Sequence, residues 1–186
     1  MPELRIATFN CENLLMRCDF AAANVAGAAR KLTNVSSSEV ADQVDAVFDV
    51  LSEDDRTLTA QALAATKADV CALQEVENLV TLTAFHNRYL TRWANQPYTT
   101  RILHEGNDGR GIDVALLSRL SVIREISHAA LTVADMDIKP PGRVSHEARI
   151  FRRDCLEVDV VKEGRALTLF VCHFKSMHGG RKKTNA

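Results

Sequence analysis

Glu75 and His173 are the two residues whose types and positions could support chemistry. Each stands at or near the end of an apolar run, 68–75 and 166–174, as functional side chains at the ends of buried strands do. Hydrolysis of a phosphate ester needs charge neutralisation on the phosphate oxygens, and a carboxylate can hold the Mg²⁺ that supplies it. Taken alone, Glu75 is more typical of a surface carboxylate and His173 of a core residue with satisfied hydrogen bonds.

Four segments in a fixed order place these two residues in a wider pattern. They are Phe-Asn-Cys-Glu-Asn-Leu at 9–14, Ala-Asp-Val-Cys-Ala-Leu-Gln-Glu-Val-Glu-Asn at 68–78, Gly-Asn-Asp-Gly-Arg-Gly-Ile-Asp-Val-Ala-Leu-Leu-Ser at 106–118 and Val-Cys-His-Phe-Lys-Ser at 171–176. In these segments and their order the chain resembles the endonuclease/exonuclease/phosphatase family, over nearly its whole length. The resemblance implies a deoxyribonuclease I-like fold and metal-dependent hydrolysis of phosphoesters.

The resemblance also implies a metal site. Glu75 matches the family's metal-binding glutamate and is predicted to be the principal ligand of Mg²⁺, with Mn²⁺ as a substitute. Asn10 matches the asparagine of the first strand, which orients the metal ligand or the phosphate, and Glu12 falls where many members have an acidic residue near the metal. A turn residue for Asn10 and a solvated carboxylate for Glu12 are the alternatives.

Substrate contacts are implied for four further residues. His173 matches a histidine that donates to the scissile phosphate, and with Asn10 and Glu75 it forms the predicted catalytic set. Arg153 matches an arginine that contacts substrate phosphate, and Lys175 and Arg110 are predicted to bind phosphate with it. Cys172 stands where close relatives often have asparagine.

Asp113 interrupts a strand that is otherwise apolar. A carboxylate there is not expected to be buried without a partner. We therefore predict that Asp113 faces the active-site end of the sheets, where it supports the site by pairing with a nearby base such as Arg110.

Two catalytic segments of the family have no counterpart in the sequence. Members carry a Gly-Asp-Phe-Asn-like segment and a final Asp-His pair that activates water, whereas no aspartate follows Asp159 here. Residues 1–186 are thus predicted to form a single incomplete domain that lacks its C-terminal part. Such a chain is expected to be inactive by itself, and the surface that the missing part would cover is expected either to mediate self-association or to be covered by further residues. The coding sequence after Ala186 would test this expectation.

Three functions stay open at this point. The first is a nuclease that hydrolyses DNA, and the second is a phosphatase that acts on inositol phosphates or lipid head groups. The third is a non-catalytic binding or assembly module, because half of the catalytic set is absent. Resemblance in fold does not choose among them.

Composition and charge agree with a globular domain. Hydrophobic residues make up 46% of the 186 residues, and the net charge is −1. The charge is uneven, since residues 139–186 carry eleven Lys and Arg against five Asp and Glu. This basic C-terminal third is either a solvated surface or a phosphate-binding face for nucleic acid.

The sequence lacks membrane spans, a secretory signal and CxxC motifs, and these absences bear on the predicted location and on the cysteines. No apolar stretch approaches the roughly 20 residues of a membrane span, and no secretory signal begins the chain, so a cytoplasmic protein without membrane association is predicted. The five cysteines lack CxxC spacing and imply no disulfides.

Periodicity predicts an α/β fold. A helix with a buried face is predicted around 40–51 and a second over 56–67, and Asn78 is a candidate cap for a third. A turn at 162–165 joins the last two strands. Helices and strands alternate early and strands follow one another later, which favours a layered α/β sandwich of two mixed sheets flanked by helices. The insertion at 17–38 has no assigned structure. The predicted strands are 5–10, 68–75, 98–104, 112–117, 121–126, 150–161 and 166–174.

Overall fold

The computed structural model describes residues 3–15, 53–136, 139, 142 and 144–174. The predicted helix at 40–51, the insertion at 17–38 and Lys175 lie outside these residues. The described part contains seven strands, which are β1 (Ile6–Leu14), β2 (Val70–Val76), β3 (Thr100–Leu103), β4 (Asp113–Ser118), β5 (Ser121–Ser127), β6 (Cys155–Lys162) and β7 (Arg165–Cys172). The α-helices are α1 (Glu53–Ala65), α2 (Leu79–Phe85) and α3 (Thr91–Trp93), with a π-helical segment at His86–Leu90 and a 3-10 turn at Ala134–Met136.

The strands form two sheets, so the predicted α/β class is confirmed. The first sheet has the order β1-β2-β4-β3, in which β1 and β2 are parallel and the other pairs antiparallel. The second sheet has the order β5-β6-β7 and is wholly antiparallel. The prediction of two mixed sheets is therefore wrong for the second sheet. Its strands follow one another along the chain, and antiparallel neighbours do not need the long crossover that parallel pairing requires.

The predicted turn between β6 and β7 is confirmed. Glu163 and Gly164 both have positive φ, 51° and 74°, and they connect Lys162 to its register partner Arg165. A two-residue turn with both central residues in this region matches the right-handed twist of the paired strands. This turn fixes the register of β6 and β7 up to Cys155 and Cys172 at the far end of the pair.

The buried core has two parts, one on each face of the first sheet. Alternate residues of β4 serve both parts, since Leu117 belongs to the cluster that contains helix residues Leu63 and Phe85, and Leu116 belongs to a cluster with Leu156 of β6. Successive side chains of a strand point to opposite faces. Helices therefore cover one face of the first sheet and the second sheet covers the other, which explains why β4 is buried along its whole length.

The helix boundaries follow local signals. The side chain of Asn78 accepts a hydrogen bond from the Thr81 N–H at 2.8 Å, which confirms the predicted cap of α2. The second predicted helix, 56–67, corresponds to α1, which begins at Glu53 and ends at Ala65. None of the helices in the described ranges is long and apolar enough to span a membrane.

The segment before β6 departs from the predicted strand. The ladder begins at Cys155 rather than at Ile150, so Arg153 lies in a bend and not in a strand. The side-chain amide of Asn107 donates to the carbonyl oxygens of Phe151 and Arg153 at 3.0 and 3.3 Å. Those carbonyls are thus bound by a loop side chain instead of a neighbouring strand.

Strand β7 lies at the edge of the second sheet as described, and it exposes apolar side chains. Phe170 is 61% exposed and Leu167 is 37% exposed. The predicted self-association stays a prediction.

Candidate active site

Strands β1 and β2 both depart from regular strand geometry near their C-terminal ends, which lie side by side. The two strands are parallel, and their register slips between Asn10 and Leu14 before pairing resumes at Leu14 and Val76. Glu12, Asn13 and Glu75 have φ values of 50°, 63° and 64°, a left-handed conformation that residues other than glycine rarely adopt. Bulges and strained backbone of this kind concentrate at functional sites, where they re-aim side chains at the ends of strands.

Two side chains hold this bulge. The Asn10 Oδ1 accepts the N–H of Glu12 at 2.8 Å, and the Glu75 Oε2 accepts the N–H of Asn13 at 3.2 Å. Asn10 and Glu75 therefore bind successive residues of one turn at one edge of the sheet, as expected from their parallel strands. Glu12 is exposed at the tip of the same turn.

His173 faces Glu75 from the end of β7. Its Nε2 lies 3.5 Å from the Glu75 Oε1, and the two side chains are 15% and 17% exposed. Burial lowers the pKa of His173, the positive charge of Arg153 lowers it further, and Glu75 acts in the opposite direction. The net effect favours the neutral form of the imidazole. Its Nδ1 is buried and has no hydrogen-bond partner among the described residues.

Arg153 connects His173 to a carboxylate that sequence reasoning missed. Its Nη1 donates to the carbonyl oxygen of His173 at 3.0 Å, and its Nε donates to the Asp108 Oδ2 at 2.9 Å. Arg110 binds the same carboxylate through its backbone N–H and its guanidinium. The hydrogen bond from Arg110, with the charges of both arginines, lowers the pKa of Asp108 to about 2.

Asp108 thus brings two predicted phosphate-binding residues together. Its carboxylate neutralises one of the two guanidinium charges, and Glu75 places a second carboxylate beside His173. The sequence Asn-Asp-Gly at 107–109 is typical of a turn. It could have indicated that one of its side chains organises this loop.

The predicted pairing of Asp113 with Arg110 is wrong. The Asp113 Oδ1 accepts the backbone N–H of Gly106 at 2.9 Å, whereas Arg110 binds Asp108. The loop before β4 folds back over the start of that strand. The Gly106 N–H, rather than Arg110, therefore lies within hydrogen-bonding distance of Asp113. Asp113 is 5% exposed, and burial raises its pKa to about 6.

Gly106 is required where this loop meets the segment before β6. A Cβ atom at this position would lie 2.5 Å from the Asp113 Oδ1 and 3.0 Å from both the Arg153 carbonyl carbon and the Asp154 nitrogen. The adjacent Asn107 holds the same segment, because its amide donates to the carbonyl oxygens named above. The loop thereby fixes the position of Arg153.

Gly106→Ala is expected to destabilise the fold by about 1–3 kcal/mol, because backbone and a buried carboxylate must move to admit one methyl group. Gly109→Ala is the matched control, since nothing lies within 4 Å of a Cβ at Gly109. Urea unfolding of both variants measures the difference. Equal stability of the two would contradict the close approach at Gly106.

Asp113→Asn is expected to gain stability relative to the wild type as pH rises. The folded state holds the Asp113 proton more tightly than the unfolded chain, with a pKa of about 6 against an ordinary 3.8. Ionising Asp113 therefore costs stability as pH rises through this window, and the cost is fully present above it. Asparagine keeps an oxygen for the Gly106 N–H and removes the cost, which is about 3 kcal/mol for a shift of this size. Denaturant unfolding between about pH 4 and pH 7 measures this, and a difference independent of pH would contradict it.

The donors at this edge fit a hard cation that keeps most of its water. Within the described ranges, no group of three or more His, Cys, Asp and Glu is arranged to hold a metal ion. Zn²⁺ normally needs three or four such protein ligands, whereas Mg²⁺ commonly binds through one or two carboxylates with water and substrate phosphate. Glu75 supplies one carboxylate of this kind, and the amide oxygen of Asn10 binds the N–H next to the one that Glu75 binds.

Comparison with known proteins gives structural matches only. No protein-family model and no curated protein matches the chain. An endonuclease/exonuclease/phosphatase family protein from Leptotrichia buccalis C-1013-b is similar over 70% of this chain, with 16% identity and a TM-score of 0.44. The solved structure of SmcL is similar over 97% of this chain, with 14% identity and a TM-score of 0.45. The chain spans about half the length of each, 51% and 52%. The first bears the name of the family that the four sequence segments resemble.

Proposed function

We propose that the chain provides the metal-binding and phosphate-binding part of a metal-dependent phosphodiester hydrolase that acts on DNA. One observation carries the proposal. Glu75, His173 and Arg153 come from three distant parts of the chain, yet Glu75 lies 3.5 Å from the His173 imidazole and Arg153 lies 3.0 Å from the His173 carbonyl. A carboxylate, a neutral imidazole and a guanidinium in this order match what cleavage of a phosphate ester needs.

Each side chain has a distinct task in this proposal. Arg153 and Arg110 attract the phosphate and fix its orientation through charge-assisted hydrogen bonds. His173, neutral because it is buried, donates its single N–H to a phosphate oxygen or to the leaving oxygen. Asn10 and Glu75 hold Mg²⁺ or Mn²⁺, with Glu12 at the exposed tip of the same turn. When bound, the cation supplies positive charge to the phosphate oxygens.

The finer features of the fold belong to the same proposal. We infer a layered sandwich of the deoxyribonuclease I type, in which residues 1–186 form one domain without the family's last catalytic segments. Lys175 follows His173 closely in the sequence, and its proposed role in phosphate binding rests on that position and on the resemblance. DNA is preferred as substrate because Arg153, His173 and Lys175 belong to a basic part of the sequence. Residues 139–186 contain eleven Lys and Arg against five acidic residues.

Manganese titration followed by electron paramagnetic resonance tests the metal site directly in this chain. Glu75→Gln should weaken Mn²⁺ binding by at least about tenfold, because glutamine removes the charged ligand and keeps its shape. Glu77→Gln is the matched control, since Glu77 accepts a hydrogen bond from the Thr81 hydroxyl on α2. Equal Mn²⁺ affinity in wild type and Glu75→Gln would overturn the site.

Substrate assays separate the three functions. The protein expressed from its complete gene should nick plasmid DNA when Mg²⁺ is present and lose this activity with a chelator. Release of phosphate from inositol phosphates without nicking would favour the phosphatase. Binding of DNA without cleavage under either condition would favour the non-catalytic module.

A further inference from the structure

Cys155 and Cys172 face each other at the end of the β6–β7 pair that lies beside the candidate site. They are register partners on antiparallel strands, the first residue of β6 and the last of β7. Their sulfur atoms are 3.4 Å apart, and both thiols are free. Asp154 and Arg153 precede Cys155 directly, and His173 follows Cys172.

The backbone geometry at this position suits a disulfide. Directly opposed residues of antiparallel strands have Cα atoms about 4.5 or 5.5 Å apart, and both distances fall within the range of about 4.4–6.8 Å found across disulfides. The sulfur atoms, 3.4 Å apart, need to approach by about 1.4 Å to reach the bonding distance of about 2.05 Å.

The other described cysteines are placed differently. Cys71 is fully buried, and its sulfur is 3.1 Å from the hydroxyl of Tyr98. Cys11 is 7% exposed and contributes to the core between the first sheet and the helices. Cys172 is partly exposed, and its partner Cys155 lies on the same face of the second sheet as the polar side chains of Glu157 and Asp159. Cys155 itself is only 5% exposed, so an oxidant in solution reaches this pair through Cys172.

We propose that Cys155 and Cys172 form a reversible disulfide by exchange with a small disulfide such as oxidised glutathione. The Cys172 thiolate attacks one sulfur of oxidised glutathione, forms a mixed disulfide and releases one glutathione thiolate. Cys155, whose thiol pKa is raised to about 12 by burial and by its contact with Cys172, then loses its proton and attacks the Cys172 sulfur, which releases the second glutathione. The protein loses two electrons and two protons, which reduce one oxidised glutathione to two thiols, and excess glutathione reverses the sequence.

The disulfide would tether the start of β6 to the end of β7. Arg153 already donates to the His173 carbonyl across this gap, at 3.0 Å. The covalent bond would limit how far Arg153 and His173 can separate. The redox state of Cys155 and Cys172 would therefore control how freely Arg153 and His173 move apart. Formation of the disulfide depends on strand register and does not depend on the proposed phosphoesterase function.

Mapping of tryptic peptides after incubation in glutathione buffers tests the proposal. The protein is equilibrated over a series of glutathione ratios, quenched in acid, alkylated after unfolding and digested. Trypsin cuts after Arg153, Lys162, Arg165 and Lys175, so Cys155 and Cys172 fall in the separate peptides 154–162 and 166–175. We expect one linked product of these two peptides under oxidising buffer, its loss with dithiothreitol, and alkylation of the other three of the five cysteines throughout.

Two variants sharpen the result. Cys172→Ser should leave no linked peptide, while Cys18→Ser, which changes a cysteine remote from the pair in sequence, should retain it. Peptides 154–162 and 166–175 that stay separate and fully alkylated at the most oxidising ratio would overturn the proposal. A preferred linkage to any other cysteine would overturn it as well.

Discussion

Replacing Glu75 with glutamine should lower phosphodiester hydrolysis by at least about 100-fold in the complete protein, the usual scale for losing one electrostatic stabiliser at a reacting centre. Glu75 is proposed to be the charged ligand of the cation, and its Oε1 also lies 3.5 Å from His173. Glutamine is nearly isosteric, and its side-chain oxygen can still accept the N–H of Asn13. The fold should therefore persist while the rate falls.

Steady-state kinetics at saturating Mg²⁺, together with thermal unfolding, measure this effect. The loss should appear in kcat and in kcat/KM, because charge on the phosphate oxygens matters most in the transition state. Glu77→Gln serves again as the control and should retain kcat within about threefold, because the Glu77 carboxylate accepts the Thr81 hydroxyl of α2. Turnover of Glu75→Gln close to wild type would remove Glu75 from the site.

The parts of the structure that were predicted correctly depend on local signals. The cap at Asn78 is visible in the sequence because an asparagine before a helical segment satisfies a donor three residues away. The turn at 162–165 is visible because glycine permits the left-handed conformation that a two-residue turn requires. The end of β2, predicted at Glu75 and found at Val76, is marked by a change from apolar to polar residues. Each of these signals acts over a few residues.

The parts that were not predicted depend on contacts between residues distant in sequence. Asp108 and Arg153 are 45 residues apart, and nothing near Asp108 indicates that a second arginine binds it. The segment at 150–154 was predicted to continue the strand, yet the ladder begins at Cys155 and Asn107 binds the carbonyl oxygens of Phe151 and Arg153. Asp113 was expected to need a base, but a backbone N–H and a raised pKa are enough to accommodate it.

The network around His173 explains why these long-range contacts matter for function. Arg153 reaches the His173 carbonyl only because Asp108 and the Asn107 amide hold the segment before β6 in place. Gly106 permits the close approach on which this arrangement depends. Positioning of the phosphate-binding arginine is therefore a property of the loop at 106–111 as much as of Arg153 itself.

His173→Gln should lower turnover by about 100-fold or more, comparable to the loss of one donor to a developing negative charge. The His173 side chain is 15% exposed, and its polar contact is with Glu75. Its replacement should therefore lower the rate far more than it affects folding. Arg153 contacts the His173 backbone carbonyl and not the imidazole, so its position should survive the substitution.

The double variant Glu75→Gln, His173→Gln separates a shared role from two independent roles. If the two side chains act on one phosphate as a unit, the double variant should lose little more than the worse single variant, because each single change already disables the unit. Independent roles would instead multiply the two losses to about 10⁴-fold. Measurement of kcat for the four proteins, with thermal midpoints within a few degrees of one another, decides between these outcomes. A His173→Gln protein with wild-type kcat would show that the imidazole near Glu75 is a packing residue, and the proposed catalytic set would then fail.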